Sequence, residues 1–221
     1  IIDTKKPVDG IHAHIVETDV KFTIGDSYLL FVNKSNRELT MANHTATHLL
    51  QAALIEVLGT HIKQAGSNVG ANRLRFDFTH PEGLTKDEVL KVESLVNREI
   101  FKSIDVRPET MSRDEALSKG AMALFGEKYG DEVRVIDIPG FSIELCGGTH
   151  VQNTKDISLF KIISESSLST GIRRIEACTK NGAIDYLNSK SSILEKIENL
   201  LSAKGDVLLK KIGQLQKDTF E

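Results

Sequence analysis

Four residues with metal-binding side chains occur in this sequence as two pairs, each with a spacing of four. His44 and His48 lie in MANHTATHLLQAAL, and Cys146 and His150 lie in CGGTHV about a hundred residues later. On a helix, side chains four positions apart project from one face about 5–6 Å apart, so two histidines can share a metal ion. Taken alone, the first pair is weak evidence, because two polar residues at a helix start have the same spacing.

The second pair makes a metal site the better interpretation. Cys146 follows a strand-like run, and Gly147 and Gly148 permit a tight turn before His150. A thiolate and an imidazole are then close together on a loop at the end of a strand. Because this ligand set suits Zn²⁺, we predict one zinc ion per chain bound by the four residues. The alternative for Cys146 is a small buried core residue, which is our interpretation of Cys178.

The helices and strands predicted around these residues indicate an α+β domain with a mixed or antiparallel sheet and packed helices. One helix is predicted from about Thr40 to Leu58, with Gly59 ending it. Two more begin at Thr85 and Ser112, each with a glutamate three residues on. Strands are predicted at 73–78, 104–107, 132–138, 141–145, 157–163 and 172–178. Because helices and strands mix irregularly, α+β is favoured over alternating βαβ units.

The N-terminal end of the chain differs from this domain, which we assign to residues 39–181. Residues 11–16 and 27–32, with Gly25 and Asp26 between them, predict an antiparallel strand pair. Such a pair is too small to be stable alone, so we interpret residues 1–38 as part of a small β-barrel.

The C-terminal residues 182–221 predict a helical arm, with helices at 182–203 and 207–219 and Asp206 as an N-cap. Leucines recur there every seven residues, at Leu187, Leu194, Leu201, Leu208 and Leu215. The arm either packs on its own protein or forms a homodimer through a coiled coil. Because Gly205 interrupts the repeat, we expect a helical hairpin, with weak dimerisation as the alternative.

Composition excludes several classes of protein. The chain has 221 residues, 40% hydrophobic and 27% charged, with a formal net charge of −3. No apolar run approaches the roughly 18 residues of a membrane span, so no membrane association is expected. Two cysteines cannot form a disulfide framework, which favours a reducing, cytoplasmic location. An RNA partner would need a local basic surface, because the whole chain is not basic.

Five motifs occur along residues 40–180, in this order: HTATH, KQAGS, RLRFDF, CGGTHV and GIRRIEA. In order and spacing they resemble the editing domain of alanyl-tRNA synthetase. Freestanding alanyl-tRNA deacylases share most of them, whereas the threonyl-tRNA synthetase editing domain resembles only the two metal-ligand pairs. In the synthetase, part of a β-barrel precedes this domain and a dimer-forming helical segment follows it. The resemblance, and the absence of an initial Met, lead us to expect an internal fragment.

The resemblance implies hydrolysis of serine and glycine from mischarged tRNA(Ala), bound by its acceptor end. A pocket sized for alanine cannot reject the smaller glycine and rejects serine poorly, so a second hydrolytic site removes the errors. The family positions matching His44, His48, Cys146 and His150 bind zinc. Those matching Thr47 and Gln64 take part in editing, Thr47 by sensing the serine hydroxyl.

Each of these two roles has a structural alternative. Thr47 is equally suited to bond the backbone one helical turn back, and Gln64 to stabilise a turn before Gly66. Arg73, Arg75, Arg173 and Arg174 are candidates for touching the tRNA, although arginines on a strand usually form a solvated face. His12 and His14 are interpreted as surface residues, and His61 and His80 have no partner motifs.

Two functions of other classes remain open at this stage. One is a non-catalytic, zinc-stabilised RNA-binding module, and the other is a zinc hydrolase of small metabolites. A freestanding trans-editing deacylase is a variant of the favoured function. Four protein ligands resemble a closed structural zinc site, whereas a catalytic zinc keeps one position open.

The ligand assignment predicts which cysteine matters for metal content. Cys146→Ala and His48→Ala should lose zinc or bind it much less tightly, because each removes one of four ligands. Cys178→Ala should leave zinc content unchanged. Metal analysis of the purified variants measures this, and full occupancy in Cys146→Ala and His48→Ala would refute the assignment.

Overall fold

The computed structural model describes residues 1–8, 10–123 and 130–220. It divides into two compact units, Ile1–Val32 and Asn33–Glu221. The larger unit begins just before its first helix, which places the division before the predicted boundary at 38/39.

The helices are α1 Lys34–Leu58, α2 Lys86–Phe101, α3 Arg113–Ser118, α4 Lys180–Leu201 and α5 Gly205–Phe220. The strands are β1 Asp3–Val8, β2 Ile11–Ile15, β3 Gln64–Val69, β4 Leu74–Thr79, β5 Arg107–Ser112, β6 Glu132–Ile138, β7 Ser142–Leu145, β8 Phe160–Ser169 and β9 Ile172–Thr179. All strand pairs between these elements are antiparallel. The prediction of an α+β domain with antiparallel sheets and packed helices is confirmed.

The main core lies between α1, α2 and a four-stranded sheet of order β3-β4-β9-β8. Leu74, Phe76 and Phe78 alternate along β4 and are fully buried, as expected for one face of a strand. Leu49 and Leu50 of α1 belong to the same apolar cluster. This packing fixes α1, and therefore its histidines, against the sheet.

Helix α1 begins earlier than predicted. Asn33 caps it by accepting a hydrogen bond from the Asn36 N–H, a common N-cap arrangement. Residues 34–38 of this extension are polar and exposed, so they carry no apolar periodicity that would have revealed them. At the other end Gly59 adopts a φ of 114°, which favours glycine, and the helix ends there as predicted.

A second sheet, of order β5-β6-β7, leads into the CGGTHV motif. Strand β7 ends at Leu145, immediately before Cys146, as predicted. The strand predicted at 104–107 instead runs over 107–112, and the one at 157–163 begins at Phe160. Strand β3 was missed, because its sequence QAGSNV is small and polar and it lies at the sheet edge.

The predicted pairing of 11–16 with 27–32 is wrong. Strand β2 pairs with β1, and residues 27–32 contain no strand. The reason is turn chemistry: Asp9-Gly10, a favoured hairpin dipeptide, lies between the strands that do pair. This hairpin is the only β-structure in the described part of residues 1–32, so the partial barrel remains a prediction.

The C-terminal arm consists of α4 and α5, close to the predicted limits. Asp206 lies in the first turn of α5 rather than before it. The Lys211 ammonium donates to the Leu201 carbonyl, and Leu208 is buried, whereas Leu187 and Leu194 are exposed. Dimerisation through the arm remains a prediction. None of the helices in the described residues combines the length and the hydropathy of a membrane span.

The side chain of Asn43 ties α1 to the turn after β3 and to the end of β9, which predicts a role in stability. Its buried amide donates to the carbonyls of Gly70 and Ala71 and accepts from the Thr179 hydroxyl. Asn43→Ala leaves these partners unsatisfied and should lower the free energy of unfolding by about 2–4 kcal/mol. Urea denaturation measures the change.

Asn68→Ala is the control, since Asn68 is exposed on β3, and should change stability by less than about 0.5 kcal/mol. Equal effects of the two substitutions would contradict the role given to Asn43.

Candidate metal centre

The four predicted ligands meet at one point between α1 and the loop after β7. Their ligand atoms all lie within 4.8 Å of one another. The Cys146 sulfur is 3.5 Å from His44 Nε2 and 3.3 Å from His150 Nε2. A tetrahedral zinc with normal bond lengths separates sulfur and nitrogen ligands by about 3.6 Å. The cluster can therefore hold one metal ion, and its donor set suits zinc.

Burial gives the cluster an inner and an outer side. His48 and His150 are buried, whereas His44 and Cys146 are partly exposed. Two ligands thus anchor the site in the protein, and the other two face its accessible side. A substrate group would approach from the side of His44 and Cys146.

Thr45 orients His150 and was missed by the sequence analysis. Its hydroxyl donates to the Met41 carbonyl and accepts from the Val151 N–H at 3.1 Å. His150 Nδ1 lies 3.1 Å from the same oxygen. With its proton already given to Met41, the hydroxyl must accept from Nδ1–H, which leaves Nε2 free to bind a metal. The signal was present in HTATH, where Thr45 lies between the two histidines.

Arg134 holds the loop that carries Cys146. One guanidinium nitrogen, Nη1, donates to the carbonyls of Cys146 and Gly148 at 2.9 and 2.6 Å. The Cys146 N–H donates to the Arg134 carbonyl, and the Gly148 N–H lies 3.4 Å from the sulfur. The loop is therefore pinned to β6 on both sides of Gly147.

Glu144 is a buried carboxyl group beside His48, and the sequence analysis also missed it. Its Oε2 lies 3.5 Å from His48 Nδ1, and its Oε1 accepts from the Ser142 hydroxyl. Among the residues that the structure describes, none forms a hydrogen bond with Nδ1. A carboxyl group behind a metal-binding histidine is a common arrangement, and here the two groups are adjacent without a hydrogen bond between them. The sequence signal for Glu144 was its place in the strand pattern of β7, because residues two apart along a strand project from the same face.

Burial controls the charge of these groups. Desolvation lowers the pKa of His48 to about 3, with a smaller effect from His44. The pKa of His150 falls to about 2, again mainly by burial. Burial raises the pKa of Glu144 to about 8, so near pH 7 Glu144 and His48 are both mostly neutral and do not form an ion pair. Neutral imidazole is the form that binds metal.

The two predicted editing residues, Thr47 and Gln64, occupy different places. Thr47 is buried on α1, and its hydroxyl donates to the Asn43 carbonyl one turn back at 2.9 Å. Gln64 begins β3, and its amide lies 3.4 Å from the Ser67 hydroxyl. Gln64 lines a cavity of about 470 Å³ together with Gln51 and Met122. The structure therefore shows Thr47 bonded to the backbone one turn back, which was the structural alternative to its predicted editing role.

The four candidate arginines all contact carboxylates of the sheet. Arg174 makes a bidentate pair with Asp77, which lies opposite it in the register. Arg173 pairs with Glu165 at 2.6 Å, Arg75 lies 3.4 Å from Asp77, and Arg73 lies 3.0 Å from Glu176. Contact with tRNA remains a prediction for each of them.

His61 and His80 contact each other, which their positions in the sequence did not reveal. Their Nε2 and Nδ1 atoms are 2.9 Å apart, and the rings stack. His14 is exposed, as expected, and lies near the Thr4 hydroxyl.

Comparison with known proteins gives the same assignment as the motifs. Residues 133–176, which include Glu144, Cys146 and His150, match the threonyl and alanyl tRNA synthetase second additional domain. Over 212 residues, 96% of this chain, the sequence is 50% identical to an alanine–tRNA ligase of Fervidobacterium nodosum. Nearly the whole of this chain is therefore similar to one region of an alanine–tRNA ligase.

Two further alanine–tRNA ligases are similar to the chain to nearly the same degree. The alanine–tRNA ligase of Thermotoga maritima is 48% identical over 214 residues, 96% of this chain. That of Haemophilus influenzae is 48% identical over 218 residues, 98% of this chain. The chain spans only 24% of the length of the Fervidobacterium relative and 25% of the other two.

Gly148 generates a prediction about metal binding. A Cβ added there would lie 2.6 Å from His44 Nδ1 and closer still to Cε1, so Gly148→Ala must displace the His44 ring or the loop. We expect its zinc affinity to fall by tenfold or more, on the order of losing an orienting contact. Competition with a chelator measures the affinity.

The adjacent glycine provides a matched control. A Cβ added at Gly147 meets nothing within 4 Å, so Gly147→Ala should retain the affinity of the unchanged chain. Equal affinity in the two variants would show that His44 does not need the space beside Gly148.

Proposed function

We propose that this chain hydrolyses the ester of serine or glycine mischarged onto tRNA(Ala), using one zinc ion bound by His44, His48, Cys146 and His150. The observation that carries the proposal is the convergence of these four side chains, from two motifs of the family, at a partly exposed site. The acceptor end of tRNA(Ala) is the proposed partner.

The side chains of the site are suited to this chemistry. When bound, zinc acts as a Lewis acid that polarises a carbonyl oxygen and lowers the pKa of water. The protein holds its imidazoles neutral through burial, orients His150 through Thr45, and keeps Cys146 and His44 on the accessible side. Gly148 leaves the space that His44 occupies.

Thr47 provides a basis for choosing serine over alanine. Because its hydroxyl proton is donated to the Asn43 carbonyl, its oxygen can serve a substrate only as an acceptor. The serine hydroxyl can donate such a bond, whereas the alanine methyl group cannot. Gln64 is the second proposed editing residue, since it lines the cavity described above.

The proposal is tested by incubating the zinc-loaded chain with tRNA(Ala) charged with serine, glycine or alanine. Serine and glycine should be released, and alanine should remain attached. His48→Ala should release neither. Binding of tRNA without hydrolysis would favour the zinc-stabilised RNA-binding module, for which the four-ligand set is the supporting observation.

A selectivity prediction concerns the two threonines of HTATH. Thr47→Val should lower the ratio of serine to alanine hydrolysis by roughly two- to thirteen-fold, the value of one neutral hydrogen bond of about 0.5–1.5 kcal/mol. Its zinc content should not change. Thr45→Val, by contrast, should weaken zinc binding, because it removes the partner of His150. An unchanged serine-to-alanine ratio in Thr47→Val would leave Thr47 a purely structural residue.

A further inference from the structure

Two histidines that the proposed function does not use meet at the surface, near the end of β4. His61 lies in the segment between α1 and β3, and His80 follows the last residue of β4. His61 Nε2 is 2.9 Å from His80 Nδ1, and the two ring planes are stacked at an angle of 26°. His61 is exposed and His80 is half-buried, so ions in the solvent can reach the pair. Two imidazole nitrogens this close can share a hydrogen bond or serve together as metal ligands.

The backbone of both histidines is held in place by hydrogen bonds. The Thr79 hydroxyl donates to the His61 carbonyl at 2.7 Å and accepts from the Lys63 N–H at 2.9 Å. The Thr79 N–H donates in turn to the Lys63 carbonyl at 3.0 Å. On the other side, the His80 N–H donates to the Gly171 carbonyl at 3.0 Å. Because both side chains project from backbone that is already ordered, a ligand that needs both rings loses less conformational entropy on binding.

One neighbour makes room for the pair, and another favours a cation beside it. A Cβ added at Gly59 would lie 3.2 Å from His61 Nδ1, so glycine leaves the space that the His61 ring occupies. Hydrogen bonds from Thr85 lower the pKa of the Glu88 carboxyl group, and positive charge on His80 lowers it further. The Glu88 carboxylate is therefore close enough to the pair to attract a positive ion towards it.

The distance between the two nitrogens indicates which kind of ion fits. An ion bound to both nitrogens at about 2.05 Å, with about 90° between its bonds, requires the nitrogens to be about 2.9 Å apart. A tetrahedral ion with the same bond lengths requires about 3.3 Å. The observed 2.9 Å therefore matches two adjacent positions of a square-planar or octahedral ion. Imidazole ligands in that geometry are typical of Ni²⁺ and Cu²⁺.

We propose that His61 and His80 form a metal site separate from the four-residue cluster, which binds one divalent ion of the Ni²⁺ or Cu²⁺ class with water at its other positions. Without an ion, the N–H of one imidazole donates to the other ring. An ion needs a lone pair on both nitrogens, so the donating ring takes its other tautomer, and two neutral rings release no proton. The ion ties the segment before β3 to the end of β4. The site does not depend on the proposed function, because neither histidine belongs to the zinc cluster.

The first experiment identifies the histidines that an added ion contacts. The zinc-loaded chain, labelled with ¹³C in the rings of its seven histidines, is titrated with Ni²⁺ and separately with Mg²⁺. Paramagnetic Ni²⁺ should broaden the signals of His61 and His80 first, whereas Mg²⁺ should leave them unchanged because it prefers oxygen ligands. Broadening of His12 and His14 at the same or a lower concentration of Ni²⁺, or no broadening of His61 and His80, would overturn the proposal.

The second experiment separates metal binding from the hydrogen bond between the rings. In His61→Gln an amide nitrogen replaces Nε2 and can still donate to His80, but it has no lone pair for a metal. Calorimetric titration should show one Ni²⁺ per zinc-loaded chain, with affinity lowered by about tenfold or more in His61→Gln and in His80→Asn.

The matched control is His14→Gln, which changes an exposed histidine of β2 and should keep the Ni²⁺ affinity of the unchanged chain. Thermal unfolding without Ni²⁺ identifies the variants that are folded. Undiminished Ni²⁺ affinity in a folded His61→Gln or His80→Asn, or no Ni²⁺ binding by the unchanged chain, would overturn the proposal. Loss of Ni²⁺ binding in His14→Gln would assign the ion to the hairpin instead.

Discussion

A single hydroxyl group joins the two halves of the metal cluster. Thr45 belongs to the helix that supplies His44 and His48, yet its oxygen accepts from Val151 N–H and His150 Nδ1 on the far side of the site. The bond orients one ligand and at the same time fixes the distance between α1 and the loop after β7. Arg134 and Gly148 complete this junction by pinning the loop and leaving space for the His44 ring.

The surrounding fold serves this junction. The apolar face of α1 packs on β4, and Asn43 connects the same helix to the carbonyls of Gly70 and Ala71 and to Thr179. One side of α1 is thus fixed by the core and by buried hydrogen bonds. The adjoining side carries His44 and His48 at the metal cluster and, one turn further on, Gln51 at the cavity. A rigid helix with two differently used faces is the supporting element that a precise metal site requires.

How much of this could be predicted from the sequence depended on whether the signal was local. Paired ligands at a spacing of four, and the helices begun by Thr85 and Ser112, depend on near neighbours and were predicted. Glu144 and Thr45 stand at suggestive positions in the sequence, but they act through partners that only the fold brings close, so their roles could not be assigned from it. Strand β3 lacked the β-branched residues that mark a strand, and it exists because β4 pairs with it. The strand pairing predicted for residues 11–16 and 27–32 was wrong because it relied on Gly25 and Asp26 as the turn, whereas Asp9-Gly10 is the stronger turn sequence.

The separation of the ligands along the chain has a consequence for folding. His44 and Cys146 are 102 residues apart, so an unfolded chain offers a metal only two separate pairs of ligands. All four are available together only after the sheets and α1 have assembled. A metal ion held by all four would therefore bind the native state far better than the unfolded state, and at a thousand times its dissociation constant it would add about 4 kcal/mol of stability. Metal supply would thus change the stability of the fold as well as the occupancy of the site.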